Sequence, residues 1–199
     1  MQDALINGKP NADFFSAAQN APGQASLADF NALVLAHQDA VYSLASYLLG
    51  DPDLAEDVTQ KAFLNAFLKL HTFRGGSFRN WVLGIVKNAS FDELRRLRRR
   101  PAFSLDALDD GSETTPEWSI SPAQLPEQAL ERKERSNAVA AALRSLKDDY
   151  RAAVVLVDFQ GLDYADAAQV LGVPIDTLKS RVSRARRQLT ALPALQPYL

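Results

Sequence analysis

Residues 164–183 read YADAAQVLGVPIDTLKSRVS, and this stretch decides the fold. Ala and Val recur at helical spacing up to Leu171, and Gly172 then stands where a turn between two helices wants a left-handed residue. Val173, Ile175, Leu178 and Val182 are spaced to pack a second helix on the first, with the small Ala168 at the crossing. Asp176 or Thr177 caps or begins that second helix. The pattern is a helix-turn-helix. Its outward face is Thr177, Lys179, Ser180, Arg181, Ser183, Arg184 and Arg187, with no acidic residue from Thr177 to Leu189. Such a face supplies donors for base edges and cations for phosphates, as a major-groove reader needs. An ordinary helical hairpin with a basic surface is the plainer alternative. The coincidence of turn residues, apolar spacing and one-sided charge favours DNA binding.

Around this motif the pattern stays helical. Helices are expected at about 127–146, 148–159, 163–171 and 175–191, broken at Gly161 and at Gly172-Val173-Pro174. Val154 to Val157 is a β-branched run, yet it sits in a helical pattern with Ala152, Ala153 and Phe159. No segment reads as a strand. Upstream, residues 102–126 carry Pro116, Pro122 and Pro126 among Ser, Thr and acids, the composition of a linker. Fully extended it would reach at most about 80–90 Å, and as a coil roughly 25–30 Å. Before it, helices are expected at 27–49, 52–70 and 78–99, with Asp51 and Pro52 opening the second and Pro101 stopping the third. Residues 1–25, rich in Asn, Ala, Gln, Gly and Pro, read as a mobile extension. The expected fold is all-α: two small helical domains, 26–101 and 127–199, joined by a flexible acidic linker, the second a helix-turn-helix domain.

The chain has 199 residues, 22 Lys and Arg, 24 Asp and Glu, and no Cys. Disulfides, thiolate-bound zinc, iron–sulfur clusters and Cys nucleophiles are excluded. His37 and His71, its two histidines, supply too little for a metal or catalytic centre, and no cofactor motif is present. No run of 18 apolar residues exists for a membrane span, and no signal peptide is legible, so a cytoplasmic location is expected. The net charge of −2 hides segregation: −7 over 1–60, +8 over 61–101, −7 over 102–131 and +4 over 132–199. Each basic block could neutralise phosphates, or simply be a solvated helix face.

The first domain holds a second basic element. Arg95, Arg96, Arg98, Arg99 and Arg100 close the helix from Phe78. A helix C-terminus attracts cations, but five Arg in six positions exceed that need. Phe73, Phe78 and Trp81 lie beside Arg74, Arg79 and Lys87. Aromatics interleaved with cations can hold an unpaired strand; taken singly, each aromatic is better read as core.

Three segments together resemble a known family: DPDLAEDVTQKAFLNAFLKL (51–70), FRGGSFRNWVLGIVKNASFDELRR (73–96) and GLDYADAAQVLGVPIDTLKSRVSRARRQL (161–189). In this order and spacing the chain resembles bacterial sigma factors of the extracytoplasmic-function (ECF) group, over about residues 27–191. The resemblance implies a transcription initiation factor. The first domain would bind core RNA polymerase through Asp57, Gln60, Leu64 and Asn65 and melt the −10 promoter element. The loop Phe73–Phe78, with Arg74 and Ser77, would capture a flipped base. Trp81, Lys87, Asn88, Asp92, Arg95 and Arg96 would recognise the −10 element. The second domain would read the −35 element through Lys179, Ser180, Arg181, Ser183 and Arg184, and the linker would thread near the RNA exit path. An anti-sigma factor is a further implied partner, beside core polymerase and promoter DNA. Lys61, Asn80 and Gly84 depart from the family pattern, which commonly has Glu, Thr and an aromatic there.

Three other readings compete. A stand-alone helix-turn-helix regulator would need a palindromic site and a dimer. A sigma-like decoy would have less reason to keep a basic recognition helix. An enzyme built on Glu56, Asp57 and His71 is disfavoured. The two acids point to different sides of a helix, His71 lies at its far end, and no nucleophile elbow or phosphate cradle is present.

Overall fold

The computed structural model describes residues 5–6, 9–10, 27–99 and 126–198, with side chains over 30–99 and 134–195. The linker 102–125 and most of the 1–25 extension lie outside the described residues. Within the extension, Leu5–Ile6 (β1) pairs antiparallel with Lys9–Pro10 (β2), where the sequence reading expected no strand. The pair is two residues long on each side, too short for an alternating pattern to show.

The first domain is a three-helix bundle of α1 (Leu27–Leu49), α2 (Pro52–Leu68) and α3 (Phe78–Arg99). α2 opens as its sequence dictates. The Asp51 side chain accepts a hydrogen bond from the Leu54 N–H at 3.0 Å, and Pro52 occupies the first helical position, where no donor is needed. It ends at Leu68 rather than 70, because Leu70–Thr72 tightens into a 3₁₀ turn that turns Leu70 into the core. Leu33, Val41, Leu44, Leu48, Val58, Ala62, Val82, Leu83 and Val86 fill the bundle.

The second domain contains α4 (Pro126–Ser145), α5 (Asp148–Val154), α6 (Tyr164–Leu171) and α7 (Ile175–Thr190). The expected continuous helix 148–159 changes character halfway. Val155–Phe159 forms a π turn, in which Gln160 N–H bonds the Val155 carbonyl at 2.9 Å and Leu162 N–H the Leu156 carbonyl at 3.0 Å. Single π turns widen a helix by one residue and concentrate at functional positions; here the turn delivers Gln160 to the boundary between the domains. Asp163 caps α6 by accepting from Asp166 N–H at 2.8 Å, and Gly172 ends it at φ +68°. Leu178, Val182 and Ala185 of α7 are buried against α5 and α6.

The two domains are docked. One continuous apolar cluster runs from Phe30, Leu44 and Val86 through Leu143, Val154, Val170 and Leu178. α1 touches α4 and α5, and α3 lies along α6. Gly84 lies at the second contact: a Cβ there would stand 3.9 Å from the Val170 carbonyl, in ordinary van der Waals contact. The buried Arg151 guanidinium ties the domains together, donating to the Leu48 carbonyl of α1 and to the Arg144 and Leu146 carbonyls at the end of α4.

Candidate nucleic-acid interface

Three surfaces carry the residues singled out in the sequence. On α2, Asp57, Gln60, Leu64 and Asn65 share one exposed face, as their i, i+3 and i+4 spacings require. Leu64 is 59% and Leu68 62% exposed, a bare apolar stripe on an otherwise polar outer face. Asp57 pairs with Lys61 at 3.6 Å and Gln60 donates to Glu56 at 3.1 Å, so charge and amide groups flank the stripe.

The loop Phe73–Phe78 and the first turns of α3 form the second surface. Phe73 and Phe78 are 2% and 1% exposed, lie 6.1 Å apart and pack with Trp81 at ring distances of 5.3 and 5.6 Å. They form the floor of the loop and lie beneath its surface. Gly75 and Gly76, both near φ +90° with open space around them, lift the loop clear of that floor, and Arg74 and Ser77 stand exposed on it. The Ser77 hydroxyl accepts from the Asn80 N–H at 3.2 Å and caps α3. Beside the loop opens a cleft of about 680 Å³, lined by Arg74, Ser77, Asn80, Trp81, Lys87 and Asn88 on one side. Its opposite wall is α6 of the second domain, through Asp166, Gln169 and Val170. Lys87 is only 8% exposed, with its ammonium 5.9 Å from the Phe91 ring centroid; burial lowers its pKa, and Asp149 partly offsets this. Asp92, Arg95 and Arg96 are exposed on the last turns of α3. Arg95 pairs with Asp92, and the Arg96 Nε donates to Glu93 at 2.8 Å.

The third surface is α7. Lys179, Ser180, Ser183, Arg184 and Arg187 are exposed, and Thr177 and Arg181 half-buried. The first turns of α5 flank it. Arg181 pairs with Asp149 at 3.0 Å, and Arg184 donates to the Tyr150 hydroxyl at 3.3 Å, which lowers the phenol pKa. Lys179 is joined to Asp176 within α7 at 3.3 Å. Arg186, absent from the sequence-based set, is held by Asp158.

The sequence reading missed the groups that join these surfaces. Arg79 of α3 donates to both the Gln160 carbonyl, at 2.8 Å, and its side-chain oxygen, at 2.9 Å; the Gln160 amide donates to the Ala40 carbonyl at 3.2 Å. Burial lowers the Arg79 pKa. His37 stands beside it, its ring 5.7 Å from Phe78 and its Nε2 buried without a hydrogen-bond partner among the described residues. Nothing in the spacing of residues 120 apart could have indicated the Ala40–Gln160 contact.

A helical bundle carrying a glycine-raised loop over an aromatic floor, followed by a helix-turn-helix domain, defines a two-module nucleic-acid-binding protein. Residues 33–100 match the family description "Sigma-70 region 2", and residues 136–189 match "Sigma-70, region 4". The chain is 34% identical to the RNA polymerase sigma-H factor of Pseudomonas aeruginosa over 85% of its own length and 88% of the relative's. It is 36% identical to the ECF RNA polymerase sigma factor SigE of Mycolicibacterium smegmatis over 83% of its length, and spans 62% of that longer protein. The sigma factor RpoE of Bartonella quintana, solved in complex with the anti-sigma factor NepR, has a similar structure: TM-score 0.61, 29% identity, 82% of this chain and 96% of the other. The chain belongs to the ECF sigma factors. Among its described residues no helix is long and apolar enough to cross a membrane.

Proposed function

We propose that this chain is a transcription initiation factor that binds core RNA polymerase, recognises −35 and −10 promoter elements and helps to open the promoter. The observation that carries the reading is the pairing, in one chain, of a basic outer face on α7, acid-free from Thr177 onward, with the raised loop on its aromatic floor. The first belongs with duplex readout in the major groove. The second suits a single strand, because an extruded base needs a pocket and cations for its phosphates.

The roles follow the surfaces. Asp57, Gln60, Leu64 and Asn65 bind polymerase, with the exposed Leu64 and Leu68 as apolar anchors. Arg74, Ser77 and Asn88 meet the flipped base and its backbone, while Phe73, Phe78 and Trp81 keep the loop in shape. Lys87, Asp92, Arg95 and Arg96 contribute to −10 recognition. Thr177, Lys179, Ser180, Arg181, Ser183, Arg184 and Arg187 read the −35 element. The work is binding and strand separation, with no bond-making chemistry and no cofactor, in the cytoplasm where polymerase and promoter meet. In the docked arrangement α6 walls the cleft beside the loop, so both elements are read together only after the domains part. By analogy with the Bartonella protein, solved in complex with the anti-sigma factor NepR, an anti-sigma factor is a further partner.

The test is transcription in vitro with purified core polymerase and a pool of promoter fragments, with and without the chain. Chain-dependent transcripts sharing a −35/−10 pair are expected. Failure to bind core polymerase, with polymerase-independent footprints on a palindrome, would replace the reading with a stand-alone regulator.

A further inference from the structure

α5 begins with two acids that each engage a different basic helix. Asp148 accepts from the Arg98 guanidinium of α3 through both carboxylate oxygens, at 2.9 and 2.8 Å, across the domain boundary. Asp149 accepts from Arg181 of α7 at 3.0 Å, and its charge also reaches Lys87 of α3. In both pairs one guanidinium nitrogen donates to carboxylate oxygen, a charge-assisted contact that a phosphate oxygen can make equally. All four side chains keep some exposure to solvent, so a competing anion can reach each pair.

We propose that Asp148 and Asp149 occupy the positions that DNA backbone phosphates take on Arg98 and Arg181, so that the chain carries its own competitor for DNA and Arg98 is a phosphate contact of the first domain. This rests on the reading of the chain as a promoter-binding factor. Each pair is exposed and therefore weak in isolation. Their effect comes from being intramolecular: an acid fixed beside the cation competes at an effective concentration that free anions seldom match. Because the Arg98 pair crosses the domain boundary, DNA on Arg98 replaces one of the contacts of the docked arrangement.

The experiment measures binding of the free full-length chain to a labelled random-sequence duplex across a salt titration. It compares wild type, D148N/D149N, and D39N/E134Q, which changes charge equally at exposed acids away from both pairs. D148N/D149N is expected to bind roughly three- to tenfold more tightly than the charge-matched control at low salt. Its log-affinity against log-salt slope should be steeper by about one to two, since each freed Arg releases about one counterion equivalent per phosphate. Adding R98A should remove a large part of the gain. A gain no larger than that of D39N/E134Q, or an unchanged salt slope, overturns the proposal. If D148N/D149N does not fold, D149N alone leaves the Asp148–Arg151 pair at 3.5 Å intact and should steepen the slope by about one; no change overturns the proposal equally. Transcription with core polymerase, run on the same preparations, separates the two readings. A wild-type chain inactive there defeats the initiation reading, while the random-duplex comparison still decides this one.

Discussion

Arg79 and Gln160, 81 positions apart, form the hydrogen-bonded centre of the contact between the two domains: one guanidinium nitrogen lies 2.8 Å from the Gln160 carbonyl and 2.9 Å from its side-chain oxygen. The Gln160 amide then reaches the Ala40 carbonyl, so one residue at the end of the π turn binds two helices of the other domain. Arg79 comes from the first turn of the helix that bears the cleft, and the same contact that hides Arg79 seats α6 over that cleft.

Gln160→Ala should therefore loosen the docked form. It leaves the Ala40 carbonyl without its donor and takes the side-chain oxygen from the half-buried Arg79 guanidinium, which keeps the Gln160 backbone carbonyl; the cost is about 1–3 kcal/mol. Urea unfolding measures the loss. A fluorescence-transfer pair with one dye on each domain should report a longer distance in the variant, with the helical content unchanged.

Gly84→Phe tests the close approach of α3 and α6. Alanine fits there, because its Cβ would sit 3.9 Å from the Val170 carbonyl, whereas an aromatic ring must either push α6 away or turn into the cleft that Gly84 lines. The contact between α3 and α6 should open, with the helical content unchanged. Small-angle scattering should show a larger radius of gyration for the Phe variant and a wild-type value for Gly84→Ala.

His37 makes stability depend on pH. Its pKa lies below the ordinary 6.5, through burial first and the nearby Arg79 charge second. The folded chain thus binds fewer protons than the unfolded chain around and below pH 6.5. Stability from this group is full above that value and is lost as pH falls through the lowered folded pKa. His37→Gln should flatten the pH dependence of the urea midpoint between about pH 7.5 and 5, and an equally steep dependence would assign it to other groups.

Gly172→Ala isolates backbone strain. The residue sits at φ +68°, and nothing lies within 4 Å of an added Cβ. The cost is conformational alone, about 1–2 kcal/mol. Thermal unfolding should drop accordingly, and promoter binding by polymerase carrying the variant should weaken only as far as α7 shifts.

Much of the fold was legible because its signals are local. Asp51-Pro52 begins a helix, Gly172 ends one, and Leu178 and Val182 repeat at helical spacing; each acts through neighbours within about one turn. The faces of α2 and α7 were legible for the same reason, since helical geometry alone puts Leu64 beside Gln60 and Arg184 beside Ser180. The π turn was not, because Val155–Phe159 has the apolar pattern of an ordinary helix and the extra residue shows only once its hydrogen bonds are seen.

Burial separated residues that looked alike in sequence. Arg74 and Arg79 flank the same loop, yet one is exposed and the other is committed to Gln160; Lys87 reads as a DNA-facing cation and lies under Phe91. The sequence by itself determined the helices, the two modules and the kind of surface each presents, because these depend on periodicity, caps and the local sum of charge. Only the tertiary structure decided that the modules dock, that α6 walls the cleft, and that Asp148 and Asp149 meet Arg98 and Arg181. Those contacts join residues tens of positions apart, and their energies depend on distance and burial, which no spacing along the chain encodes.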